Sequence, residues 1–161
     1  MYKILILILI LLFTSCTTDS IQKTDYSKYE STHAIRETKD IEIQILELIN
    51  EYRISIGLCK LKYEPIIKSV AYLHNIDMIN ANQLSHNGFV ERSDYLIYKT
   101  HAQYVGENLA YGYSSAVSVY NAWLKSPTHK KNIEGNYTHF DISVELNKDG
   151  NAYITNIFIK K

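Results

Sequence analysis

The chain has 161 residues, with 17 basic and 17 acidic side chains, so its formal charge is zero. No basic tract is present, and balanced charge without one gives no footprint for nucleic acid. Residues 39–161 make one domain of ordinary size, long enough to bury a core of its own.

The chain opens with Lys3 and an unbroken apolar run from Ile4 to Phe13, followed by Thr14, Ser15 and Cys16. About ten apolar residues are too few to span a bilayer, which takes roughly 20. They fit the core of a signal peptide over residues 1–15. Small residues directly before Cys16 match a bacterial lipoprotein processing site, although Phe13 stands where leucine is commoner. The alternative is an ordinary signal peptide that contains a cysteine. Several acyl chains on Cys16 would anchor the protein stably, since a single chain binds only marginally. The sole other cysteine is Cys59. A lipidated Cys16 therefore excludes an intramolecular disulfide, and Cys59 reads as core filling rather than as a nucleophile. Residues 16–38 are polar, carry no sustained apolar period and read as a tether. About 20 flexible residues have a typical span of roughly 25 Å. His33, within the tether, is given no role.

The domain opens with "DIEIQILELINEYRISIGL", in which Ile41, Ile45, Leu48 and Tyr52 recur at helical spacing and Ile49 widens the stripe. Asp40 and Glu42 suit the helix N-terminus and Gly57 its end. "EPIIKSVAYLHNIDMINANQL" predicts a second helix with Pro65 in its first turn. Ile67, Val70, Ala71, His74 and Met78 share one face, so His74 reads as a histidine at the core edge. "SHNGF" breaks the pattern with the turn pair Asn87-Gly88 and sets His86 at its mouth. A short helix is expected over 93–101. "YVGENLAYG", residues 104–112, places Glu107 and Asn108 among apolar and aromatic residues and reads as an irregular segment. "SSAVSVYNAWLK" predicts a helix with Ala116, Val119, Tyr120 and Trp123 on one side. "SPTHKKNI" predicts another, with Ser126 as N-cap, Pro127 first, His129 third and Asn132 on the same face. Phe140, Ile142, Val144 and Leu146 then alternate with polar residues. Tyr153, Thr155, Ile157 and Ile159 alternate in turn with Ile154, Asn156 and Phe158. The turn "KDGN" between them predicts a hairpin. Helices followed by strands indicate α+β with an antiparallel sheet.

A charge in apolar surroundings needs a partner. For Glu107 the candidates are His86 and His129. Two histidines and a glutamate are a candidate zinc set, because zinc accepts imidazole nitrogen and carboxylate oxygen. No His-Glu-x-x-His helix and no Gly-x-Ser-x-Gly elbow occurs, so no activated nucleophile is visible.

In chain order, "NEYRISIGLCKLKYE", "AYLHNIDM", "LSHNG", "GENLAYGY", "AWLKSPTHKKNI" and the final strand pair resemble the CAP superfamily across residues 39–161. The resemblance implies an α-β-α sandwich, a small antiparallel sheet flanked by helices, with an open cleft. Eukaryotic members carry two histidines and two glutamates there, and some bind a divalent metal. His86 matches the first histidine and Glu107 the first glutamate. Ser126 and Asn136 stand where the second pair would be, and the eukaryotic disulfides are absent. His129 belongs to the bacterial form of the motif.

The resemblance sets the ligand-binding cleft at His86, Glu107, Asn108, Ser126 and His129. Its metal candidates are His86, Glu107 and His129, with zinc or another divalent ion as cofactor. The alternative is that Glu107 and Asn108 serve only to fix their segment. Two functions follow. One is a binding module lipid-anchored to a bacterial envelope, at the outer membrane or cell surface, meeting a lipid, a small molecule or a host protein. The other is a divalent-metal-dependent hydrolase.

Overall fold

The computed structural model describes residues 25–30 and 37–161. The apolar leader, Cys16 and His33 lie outside the described residues. Among those described, no helix is long and apolar enough to cross a membrane.

Among the described residues, six helices and four strands follow in chain order: α1 (Ser27–Glu30), α2 (Asp40–Ser55), β1 (Lys62–Tyr63), α3 (Pro65–Ala81), α4 (Phe89–Thr100), β2 (Tyr104–Tyr111), α5 (Ala116–Lys125), α6 (Pro127–Ile133), β3 (His139–Leu146) and β4 (Ala152–Lys160). The sheet order is β1-β3-β4-β2. The predicted hairpin is present, with Phe140 opposite Phe158 and Val144 opposite Ile154. β2 pairs antiparallel to the far side of β4, with Glu107 opposite Ile157. The expected antiparallel sheet carries one exception, since the short β1 runs parallel to β3.

Alternation along the strands sorts the core into two layers. Phe140, Ile142, Val144, Ile154 and Phe158 face α2, α5 and α6, around Ile45, Ile49 and the buried Trp123. Ile157 and Ile159 face α3 and α4, against Ile67, Val70, Ala71, Tyr95 and Leu96. The result is helices on both faces of a small sheet, the sandwich that the family resemblance implies.

Several local expectations change. "YVGENLAYG" is a strand rather than an irregular segment. It escapes the usual alternation because it hides polar side chains, Glu107 and Asn108, on both of its faces. α4 starts at Phe89, four residues earlier than expected, with Gly88 in the left-handed region at φ 72°. Ser126 occupies the N-cap position of α6, but its hydroxyl makes no cap bond. Ser115 caps α5 instead, accepting from Ser118 N at 3.3 Å. Cys59 is exposed rather than in the core. Arg53 Nε donates to the Cys59 carbonyl at 2.9 Å, so it is the backbone there that the fold holds.

α1 lies on α3 and α4. Tyr29 is buried and stacks on Tyr95 with ring centroids 4.7 Å apart. Lys28 pairs with Asp77, and Lys99 with Glu30 at 2.9 Å.

Candidate functional site

The site is built on β2, the outer strand beside β4. Successive strand residues point to opposite faces, so Glu107 and Asn108 belong to different layers.

Glu107 faces α4, its side chain only 1 % exposed. There it meets Arg92, which the sequence reading missed. The guanidinium grips the carboxylate with two parallel bonds, Nε to Oε2 at 3.0 Å and Nη2 to Oε1 at 2.9 Å. This fork-on-carboxylate geometry is among the strongest ionic hydrogen bonds. Arg92 Nη1 also donates to the Asn87 carbonyl at 2.7 Å, tying the "SHNGF" turn to the same centre. Gly88 lets the chain turn there, and Ser85 Oγ accepts from Asn87 N at 2.9 Å.

That turn delivers His86. Its Nδ1 lies 2.8 Å from Glu107 Oε1, so of the two expected partners Glu107 takes His86. A charged carboxylate only accepts, so Nδ1 carries a proton and Nε2 faces outward. The His86 side chain is 57 % exposed. Burial pushes the Glu107 carboxyl up. The His86 hydrogen bond and the Arg92 charge and hydrogen bonds outweigh it and hold the group below its ordinary range.

His74 completes this layer. Its Nε2 donates to the Ser85 carbonyl at 2.8 Å and lies 4.0 Å from Glu107 Oε1. It is fully buried rather than at the core edge. Burial, joined by the Arg92 charge, pushes its imidazole down to about 4. Its Nδ1 is buried without a hydrogen-bond partner.

On the other face the polar residues hold backbone. Asn108 Nδ2 donates to the His129 carbonyl at 3.0 Å, and Asn132 Nδ2 donates to Asn108 Oδ1 at 2.8 Å and to the Glu107 carbonyl at 3.0 Å. Trp123 Nε1 donates to the Leu109 carbonyl at 2.9 Å. These outward carbonyls have no neighbouring strand. Asn132 and Trp123 supply the donors that an edge strand lacks. Asn108 is thus a buried brace for α6 rather than a cleft-lining group.

His129 is the third residue of α6, as predicted, and partly exposed. Burial first, then the charge of His86, lowers its pKa. It feels His86 but donates no hydrogen bond to Glu107, so of the expected alternatives, His86, His129 or both, the structure shows His86. Ser126 is half-buried at the start of the same helix.

The donor set does not fit a metal. Arg92 bonds both Glu107 oxygens, His86 bonds one of them, and the side chain is only 1 % exposed, so little of the carboxylate is open to an ion. Among the described residues, no group of three or more His, Cys, Asp or Glu side chains is placed to hold a metal ion. Of the suggested zinc set, His86 is bonded to Glu107, and His129 makes no hydrogen bond to that carboxylate. Chemically, the arrangement fixes one imidazole at the surface with its Nδ1 on Glu107, near a second, more shielded imidazole.

Comparison with known proteins agrees with this architecture. The family model described as CAP, the cysteine-rich secretory protein family, matches residues 46–158. The Bacillus subtilis membrane protein YlbC is 34 % identical over 125 residues, covering 74 % of this chain and 34 % of its own length. YkwD of the same bacterium is 29 % identical over 120 residues, covering 70 % of this chain and 45 % of its own length. The chain thus spans less than half the length of these curated relatives. Among solved structures, an outer surface protein of Borrelia burgdorferi superposes with a TM-score of 0.70 at 23 % identity, over 78 % of this chain and 96 % of that one. An extracellular SCP-domain protein of Bacillus anthracis gives 0.62 at 28 % identity, over 74 % and 40 %.

Proposed function

The chain belongs to the cysteine-rich secretory protein (CAP) family, and from that premise we propose that it is a binding module displayed on a bacterial envelope, not a metal-dependent hydrolase. The observation that carries this reading is the Arg92 fork on Glu107. A general base or metal ligand needs a free lone pair facing the reactants. Arg92 and His86 take three of the roughly four lone-pair sites of Glu107, and its side chain is only 1 % exposed, so no lone pair faces outward. What remains outward is His86, with His129 nearby. A groove of about 570 Å³ runs along α6, with Tyr104, Tyr137, Lys130 and Lys131 among its walls. Tyrosine combines apolar area with a polar tip and suits a contact surface. Similarity to outer-surface and extracellular proteins, and to one called a membrane protein, supports an envelope location. Attachment through a lipidated Cys16, with residues 16–38 as tether, completes the proposal.

Zinc titration of the full chain separates the two functions, followed by calorimetry and by the imidazole NMR signals. The binding reading expects no one-to-one zinc complex that depends on His86. A one-to-one complex lost in His86→Ala would overturn it in favour of the hydrolase. Attachment is tested separately by fatty-acid labelling of cells. Cys16→Ala should abolish the label and free the protein from the membrane fraction, and unchanged labelling would refute the anchor.

A further inference from the structure

A second cavity, of about 490 Å³, lies away from the histidines between the first half of α2, the start of α3 and strand β3. Ile43, Leu46, Ile66 and Tyr63 give it apolar walls. Asp141 lines it from β3 and is 6 % exposed. Phe140 and Ile142, its strand neighbours, turn into the α2 layer, which leaves Asp141 on the α3 side.

Asp141 is poorly served for a buried carboxylate. Among the described residues its carboxylate accepts one hydrogen bond, from the adjacent Ile142 N–H at 2.8 Å. The cation lining the same cavity, Lys68, is bonded at 2.7 Å to Glu42. Glu42 is itself fully buried and also accepts from Lys39 N and Val144 N. Glu47 adds a further carboxylate to the cavity wall. The cavity is thus lined by two carboxylates, Glu47 and Asp141, and one ammonium, Lys68, which is already bonded to Glu42.

We propose that this cavity binds a small organic cation, an amine on an apolar body, whose ammonium pairs with Asp141 while the body lies against Ile43, Leu46, Ile66 and Tyr63. The volume falls within the range of small-molecule pockets, roughly 300–1,000 Å³, and the lining is the usual apolar surface with one placed charge. An anion would meet the excess carboxylates, and a neutral molecule would leave Asp141 unpaired. The protonation of Asp141 agrees. Burial raises its carboxyl to about 7, with Lys68 pulling down and Glu42 and Glu64 pushing up. A bound cation would favour the ionised form that burial disfavours.

The test is NMR titration of the full chain with phenethylamine, 2-phenylethanol and 3-phenylpropanoate, which share an aromatic body and differ in charge. At pH 8 the amine should give saturable shifts at Leu46, Tyr63 and Ser69. The alcohol should bind at least ten-fold more weakly, and the carboxylate should not saturate. Asp141→Asn should lower amine affinity about ten-fold and leave alcohol affinity unchanged. Should Asp141→Asn fail to fold, the unmodified protein still decides. Its amine affinity should fall about ten-fold from pH 8 to pH 6 as Asp141 takes up a proton. Equal affinity for amine and alcohol, preference for the carboxylate, no saturable shift, unaltered amine binding in a folded Asp141→Asn, or a flat pH profile would each overturn the proposal.

Discussion

Replacing Arg92 with leucine isolates what the buried pair does. Both partners are almost sealed, at 3 % and 1 % exposure, and joined by two bonds of 2.9 and 3.0 Å. At about 3 Å and an effective dielectric near 20, the bare attraction is about 5–6 kcal/mol, much of it offset by dehydrating both ions. Removing one partner leaves a buried carboxylate with only His86, and such breaks typically cost about 3–5 kcal/mol. That is a large share of a total stability of about 5–15 kcal/mol. The single tryptophan, Trp123, is buried and reports urea unfolding directly. With a urea slope of about 1–3 kcal/mol per molar, the midpoint should fall by at least about 1 M. The sign of the pH effect sharpens the test. Glu107 is held below its ordinary range in the native protein, so its contribution is present above the unfolded value of about 4.3 and is lost as pH falls through the native one. In Arg92→Leu, burial acts with less opposition and the native value rises. Ionised Glu107 then destabilises the fold, and acid relieves it. The deficit of the variant should therefore be larger at pH 7 than at pH 5. A loss below about 1 kcal/mol, or a deficit that grows on acidification, would refute this account of the site.

His74 should make the fold acid-sensitive. Its native value of about 4 lies below the unfolded value of about 6.5, so stability falls as pH drops below about 6.5, by about 3 kcal/mol at pH 4. Urea midpoints at both pH values, for the native protein and for His74→Gln, measure that share, which should shrink in the variant. The two serine caps should differ. Ser115→Ala should cost about 1 kcal/mol, because it removes a bond to Ser118 N, whereas Ser126→Ala should cost less than about 0.5 kcal/mol. Thermal unfolding of the two variants checks the ranking.

The long helices and the hairpin were legible because their apolar periods are set by local packing. Ile45 and Ile49 on α2, and Val119 and Trp123 on α5, face the core as their spacing predicts. The edge strand was not legible. Its backbone is satisfied outward by Asn132 and Trp123, residues 25 and 14 positions away, and no local pattern records such partners. The centre of the site was half legible. Glu107 announced itself as a charge among apolar residues, but its counter-ion sits on α4 without a motif. The available signal was that Arg92 shares a helical face with Tyr95 and Leu96, three and four residues on, and that face is buried. A charge on an apolar stripe is itself a request for a partner. The metal reading lacked the same partner: the sequence named the histidines but not the guanidinium that grips the carboxylate.

The docked α1 has a mechanical consequence. With a lipid on Cys16, any drag on the domain loads the chain through this short helix first. Among the described residues its hold includes Tyr26 and Tyr29 against Tyr95 and Tyr98, and the exposed ion pairs Lys28–Asp77 and Lys99–Glu30. Exposed pairs contribute little each, so α1 should detach under a force that leaves the sheet intact. Detachment would free residues 25–30, about 20 Å of extended chain. α1 then acts as a breakaway slack, short while the surface is at rest and long when it is pulled.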